Sequence, residues 1–287
     1  MLPIRVTRPH LAPVHTPEDA TGGPLTCGLM NVSANYVNDE NLRTRQGIWA
    51  YGTKAPLVGR VLELVDVAAD ATVVDVGCGN GRYLGALRDR GHRGPLVGLD
   101  LSPGMAATAR SASGAATAVA DAQTIPIRTG AAQVTLAPHM LYHVPDIPLA
   151  LAELRRITRP GGRVVVVTNS TRHGYELDTL LADVTGDLLG TPVRMAWDGQ
   201  RFRTNQADLL LPTVFAEVDK RDLGQLVPVP AAAVVRGYLE SLPAEAIAVP
   251  AGRRAEVLAE VERRADAHIT AHGSFPVTGG ATAYLCR

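Results

Sequence analysis

The stretch Val73-Val74-Asp75-Val76-Gly77-Cys78-Gly79-Asn80-Gly81-Arg82-Tyr83-Leu84 decides how this chain is read. It opens on a short β-branched run, passes three glycines at alternate positions and enters a helical pattern. Glycine is needed where a backbone turns sharply or takes a positive φ, and where a ligand must touch the main chain. A glycine turn between a strand and a helix lies at the carboxyl end of a sheet, in the crevice where open α/β folds hold ligands. The spacing here is G-x-G-x-G. A dinucleotide fingerprint has G-x-G-x-x-G, and a Walker loop needs a G-K-S/T that does not follow. Asp75, two residues before the first glycine, suits a cationic amino group and would repel a pyrophosphate.

Outward from this loop the pattern alternates. Strands are expected at 72–76, 96–100, 117–120, 133–137 and 163–168. Helices are expected at 81–90, 103–113 and 146–158, the last capped by Asp146 and ended by Pro160-Gly161-Gly162. Alternating strands and helices imply crossover connections and a mostly parallel sheet. Upstream, 55–67 has apolar residues at helical spacing, and weaker helical character runs from about 35 to 50. Residues 1–25 hold five prolines and the pair Gly22-Gly23, which cannot sustain helix or sheet. Downstream, helices are expected at 177–189, 207–215, 231–242 and 253–272, a strand signal spans 217–226, and the apolar run 281–286 is a candidate to close the sheet.

D-x-G-x-G-x-G after a strand resembles the first motif of class I S-adenosylmethionine-dependent methyltransferases. Two more acids fall where that family has them: Asp100 in VGLDLSPGM and Asp121 in VADAQTIPI. The run from His139 to Val167, with Arg159-Pro160-Gly161-Gly162, is similar to the fourth-strand to fifth-strand region of the family's small-molecule branch. The resemblance covers about residues 70–170 closely.

It implies an α/β fold: a Rossmann-like, mostly parallel sheet sandwiched by helices, with a helical cap. Residues 1–52 would be a tail and lid over the cofactor, 53–170 and 207–287 the core, and 171–206 with parts of 230–275 the substrate cap. The cofactor would be S-adenosylmethionine, leaving as S-adenosylhomocysteine. Asp75, Gly77, Cys78, Gly79, Asn80 and Gly81 would form its loop, with Cys78 a small buried filler. Asp100, followed by Leu101, would hold the ribose hydroxyls. Met105 would pack on the adenine, and Asp121 and Ala122 would meet its amino group. Pro138 and His139 would wall the site. From the N-terminal segment, Arg45 would meet the cofactor carboxylate, and Tyr36 or Tyr51 the donor methyl; Trp49 reads equally as helix packing.

Methyl transfer from a sulfonium is an in-line displacement, so the organic chemistry belongs to the cofactor and the protein must align donor and acceptor. A base is needed only where the acceptor must lose a proton. His143 is the first candidate for a base or orienting group, with Tyr142 beside it. Tyr175, Met195 and Trp197 fall in the expected cap.

Basic and acidic residues balance at 28 each, so no basic excess marks a nucleic-acid binder. Three widely spaced cysteines (Cys27, Cys78, Cys286) make no disulfide framework and fit a reducing compartment. No apolar run approaches the roughly 18 residues of a membrane helix, no secretory pattern opens the chain, and a cytoplasmic location is expected. The pairs His139/His143 and His268/His272 stand four apart, yet without H-E-x-x-H they point to no metal. The expected acceptor is a small molecule, methylated on oxygen, nitrogen or a nucleophilic carbon, with no nucleic-acid or membrane partner. An RNA or protein methyltransferase remains the alternative, although Ala137-Pro138-His139-Met140 lacks an N-P-P-Y-like motif. A non-catalytic binding module would keep the same loop.

Overall fold

The computed structural model describes residues 39–196 and 201–287. Tyr36, Cys27, Trp197 and the proline-rich residues 1–25 lie outside them. In chain order the elements begin with α1 (Glu40–Gly47), a short 3-10 turn (Ile48–Tyr51) and α2 (Leu57–Val65). The alternating region follows: β1 (Val73–Val76), α3 (Arg82–Asp89), β2 (Leu96–Asp100), α4 (Pro103–Ser113), β3 (Ala116–Val119), β4 (Ala132–Pro138), α5 (Ile147–Ile157) and β5 (Thr158–Asn169). Then come α6 (Tyr175–Leu189), α7 (Thr204–Val214), β6 (Val218–Asp222), β7 (Gln225–Val229), α8 (Ala232–Glu240), α9 (Arg254–His272), β8 (Phe275–Gly279) and β9 (Ala281–Cys286).

Seven strands form one sheet in the order β3-β2-β1-β4-β5-β9-β6. The first five run parallel, and β9 enters antiparallel between β5 and β6. The expected closure of the sheet by 281–286 is therefore seen. The order reverses at β1, whose neighbours are β2 and β4, so the glycine loop stands at the switch point where such sheets bind ligands.

The sheet is covered on both faces because its strands alternate. Val74, Val76, Val164 and Val166 join one apolar cluster with α5 and α7. Val73, Val165 and Val167 join another with α2 and α3. A third cluster stands apart from the sheet. It gathers Leu177, Leu181 and Val184 of α6, Val235 and Leu239 of α8, Val257 and Val261 of α9, the β7–β8 pair and Ile48. Phe202, inside the stretch 171–206, packs instead with the sheet cluster. No helix among the described residues is long and apolar enough to cross a membrane.

Local chemistry explains most boundaries. Asp146 accepts a hydrogen bond from the Leu149 N–H (3.0 Å) and caps α5. Ser102 caps α4 in the same way, through the Met105 N–H (3.3 Å). Two expectations need correction. Pro160-Gly161-Gly162 does not follow a helix that runs to 158. Helix α5 stops at Ile157, and the turn is a bulge inside β5, where the register steps from Ala132↔Thr158 to Val134↔Arg163. Gly161 takes a φ of +75°, and a Cβ on Gly162 would stand 2.7 Å from the Gln133 carbonyl oxygen, so both glycines are needed there. The strand signal over 217–226 covers two strands of different sheets. β6 edges the large sheet with exposed Asp219, Lys220 and Arg221, charges that discourage further pairing, and β7 pairs with β8. Asp222 breaks the run by accepting the Gly224 N–H at 2.8 Å.

Candidate functional site

The glycine loop turns out of β1 with Gly77, Gly79 and Gly81 at φ +67°, +53° and +79°. Two of the three are also packed too closely for a side chain. A Cβ on Gly77 would stand 2.5 Å from Cβ of Met140, and one on Gly81 would stand 2.8 Å from the Ala109 Cα in α4. The Cys78 N–H donates to the Leu99 carbonyl at 2.9 Å, joining the loop to the end of β2. Cys78 itself is buried, and burial pushes its thiol up out of the reactive range.

Asp100 completes this frame. Its Oδ2 accepts from the Gly79 N–H (2.8 Å) and its Oδ1 from the Ser102 N–H (2.9 Å). Burial raises its carboxyl above the usual range, while these two N–H groups and the charge of His143 pull it back. Asp75 is the opposite case. It is 0% exposed, and neither oxygen accepts a hydrogen bond among the described residues. Burial first, and then the charge of Asp100, push its carboxyl well above the ordinary value. The hydroxyl of Tyr83, on the first turn of α3, is likewise buried with no hydrogen-bond partner among the described residues.

Leu101 is 59% exposed and Val119, at the end of β3, 54% exposed, so two apolar side chains stand open at neighbouring strand ends. Met105 is buried in the first turn of α4. Asp121 accepts from the backbone (2.8 Å) and side-chain amide (3.0 Å) of Gln123, whose Oε1 accepts from the Asp146 N–H (3.0 Å). This chain ties the acid after β3 to the cap of α5. Ala122 is buried beside it.

Pro138 ends β4. His139 then takes a φ of +56°, uncommon for a residue with a Cβ and typical of functional turns. Its N–H donates to the Val167 carbonyl (2.8 Å), and burial and the charge of Arg82 push its imidazole down to about 4. Tyr142 and His143 form the next short turn, their rings edge to face at 4.6 Å.

The first described residues bring α1 to the glycine loop. Gln46 accepts from the Asn80 side chain (3.3 Å), and Leu42 comes within 3.6 Å of where a Gly79 Cβ would stand, so α1 lies on the glycine loop. Arg45, between them, points elsewhere: its guanidinium donates to the Ser241 carbonyl at 2.5 Å. Trp49 packs against His173 (4.8 Å) and Tyr238 (6.1 Å), and Tyr51 is exposed. His173 had no sequence signal, because it follows β5 in an irregular turn. Burial, then the charges of His139 and Arg203, push its imidazole down to about 3, so two neutral histidines face the ends of β4 and β5.

Residues 74–166 match the family described as a methyltransferase domain. Over this stretch the chain is similar to methyltransferase domains. The chain is 34% identical to a malonyl-[acyl-carrier protein] O-methyltransferase from Serratia marcescens, over 40% of this chain and 45% of the relative. It is 36% identical to a 23S rRNA (guanine(748)-N(1))-methyltransferase from Streptomyces fradiae, over 44% of this chain and 45% of the relative. The chain thus spans a little under half the length of these two relatives. Among solved structures, a candidate methyltransferase from an antibiotic biosynthesis pathway of Anabaena variabilis superposes with a TM-score of 0.57 at 17% identity, covering 80% of this chain and 96% of that one. That likeness concerns the fold.

Proposed function

We propose that this methyltransferase binds S-adenosylmethionine on the glycine loop and passes its methyl group to an oxygen, nitrogen or nucleophilic carbon of a small molecule. The observation that carries the reading is Asp75: a fully buried carboxyl with no hydrogen-bond partner, directly before a loop whose backbone has been cleared of side chains. A buried unpaired carboxylate is costly, and the cost falls when a cation is brought to it. The cationic amino end of S-adenosylmethionine is such a group, and a pyrophosphate is not. Asp100, held by two N–H groups with its remaining lone pairs free to accept, fits a pair of ribose hydroxyls. Leu101 offers apolar surface to the adenine, whereas Met105 is buried and presents none, and Asp121 with Ala122 would meet its amino edge. Cys78, Asn80, Pro138 and His139 complete the walls.

The bound cofactor supplies an electrophilic methyl group on a sulfonium. The chain's own task is placement and exclusion of water at the ends of β4 and β5. His143, with Tyr142 against its ring, would orient the acceptor and take a proton where the acceptor carries one. The equal numbers of acidic and basic residues favour a small acceptor. The likeness to an rRNA methyltransferase makes RNA the second acceptor class to test.

Calorimetric titration with S-adenosylmethionine, S-adenosylhomocysteine and NAD decides the cofactor. Binding of both sulfur compounds, none of NAD, and loss in Asp100→Ala are expected. Absence of binding to both sulfur compounds would sink the proposal. Mass-shift screening of small phenols, acids and amines beside RNA transcripts then decides the acceptor class; methylation confined to RNA would overturn the small-molecule part.

A further inference from the structure

We infer that Arg45 is a positioning residue, through which the cap holds α1 against the cofactor loop, and that it does not grip the cofactor itself. The inference rests on the S-adenosylmethionine site proposed above. Helix α1 has little apolar surface of its own: in ENLRTRQG only Leu42 is a hydrophobic side chain. A helix of eight residues with a single apolar side chain is not stable by propensity, so something outside it must hold it. Two of its residues reach the glycine loop, Leu42 beside Gly79 and Gln46 on Asn80. Arg43 pairs with Asp39, and Thr44 and Arg45 turn away from the loop. Thr44 comes within 3.8 Å of where a Gly237 Cβ would stand, and Arg45 sends its guanidinium to the Ser241 carbonyl, 196 residues distant in sequence.

That carbonyl is a specific anchor. The last carbonyls of a helix have no partner within it, and they form the negative end of its dipole. At the end of α8 two arginines share them. Arg45 takes Ser241, and Arg254 takes Leu242 at 3.1 Å and Glu240 at 3.4 Å. Arg254 belongs to the cap, whereas Arg45 belongs to α1. Arg45 is only 7% exposed and Ser241 6%, so water competes weakly for this bond. The helix end it grips is rooted in the cap cluster by Val235, Tyr238 and Leu239. Arg45 therefore transmits the position of α8 to Leu42 and Gln46, and from them to Gly79 and Asn80. Cofactor affinity depends on a bond that touches no cofactor atom.

The test compares two ligands on three variants. S-adenosylhomocysteine carries the amino-acid end, and 5′-methylthioadenosine lacks it. If Arg45 acts through Ser241, Arg45→Ala weakens both ligands alike, by about tenfold, the scale of one charge-assisted hydrogen bond. Arg45→Lys, which keeps a donor, restores part of both. Arg254→Ala disturbs the same helix end without touching α1 and should leave both affinities within about twofold. Four results overturn the inference. They are loss of S-adenosylhomocysteine affinity alone, which would place Arg45 on the cofactor's carboxylate; unchanged affinity for both ligands; equal losses in Arg45→Ala and Arg254→Ala, which would mean general damage to the cap; and no recovery in Arg45→Lys. Should Arg45→Ala fail to fold, the lysine variant against the wild type carries the same comparison. Failure of the wild type to bind either ligand would sink the cofactor proposal and stands apart from these outcomes.

Discussion

The molecule has two regions built on different terms. From β1 to β5 strands and helices alternate, and turn chemistry sets the joints: three positive-φ glycines, two capping side chains and an acid at the end of β2. The cluster apart from the sheet is assembled from pieces far apart. It draws α6, α8, α9 and the β7–β8 pair onto Ile48, with the buried Arg45 of α1 reaching over to the end of α8. The first region teaches that a glycine turn between strand and helix can be read from spacing alone. The second teaches that a cluster standing apart from the sheet depends on packing no local pattern announces.

The comparison can be broken most severely at Asp100. Asp100→Ala removes both the candidate ribose acceptor and the clamp on the Gly79 N–H, and calorimetry should show S-adenosylhomocysteine affinity falling by about a hundredfold or more. A loss under about fivefold would mean that the loop does not depend on this acid. Next is Gly81→Ala. The residue must take a φ of +79° with its new Cβ against the backbone of α4, and a loss of about 2–3 kcal/mol is expected in denaturant unfolding. Unchanged stability would show that α3 and α4 can separate cheaply.

Asp75→Asn sharpens the comparison, because it should separate stability from binding. The folded-state pKa of Asp75 lies above its ordinary value of 3.8, so the carboxyl favours the folded chain when protonated and costs stability as pH rises from 3.8 through the folded value. The variant should therefore be more stable than the ligand-free wild type at pH 7, by about 1–2 kcal/mol, with the gain shrinking toward pH 4. Its cofactor affinity should fall in the same preparation. A variant that loses both would argue that Asp75 is structural.

His139 has the opposite slope. Its folded value of about 4 lies below the ordinary 6.5, so its contribution is fully present above 6.5 and is lost as pH falls toward 4. His139→Gln should flatten the acid limb of the stability curve and leave pH 8 nearly unchanged; an unaltered limb would assign the acid loss to other groups. The smallest effect belongs to the exposed pair Arg263–Glu260 on α9. Arg263→Ala should leave the melting temperature within about one degree, and a larger shift would show that the outer face of the cap matters more than its packing suggests.

The neutrality of His139 and the loneliness of Asp75 show why residue types were easier to read than their states. Spacing named both residues. Their ionisation follows from burial and from Arg82 and Asp100, which only the fold brings near. The same holds for Arg45. Its place on a helix over the loop could be expected, but its direction depended on a carbonyl 196 residues away.

The sequence by itself determined the alternation of strands and helices, the glycine loop and the order of its acids. These rest on short-range sterics, capping and periodicity, which act within a few residues. Only the tertiary structure decided that Pro160-Gly161-Gly162 is a bulge, that 217–226 divides between two sheets, and that His173 joins His139 at the strand ends. Each depends on which distant backbone lies opposite, and no local pattern carries that information.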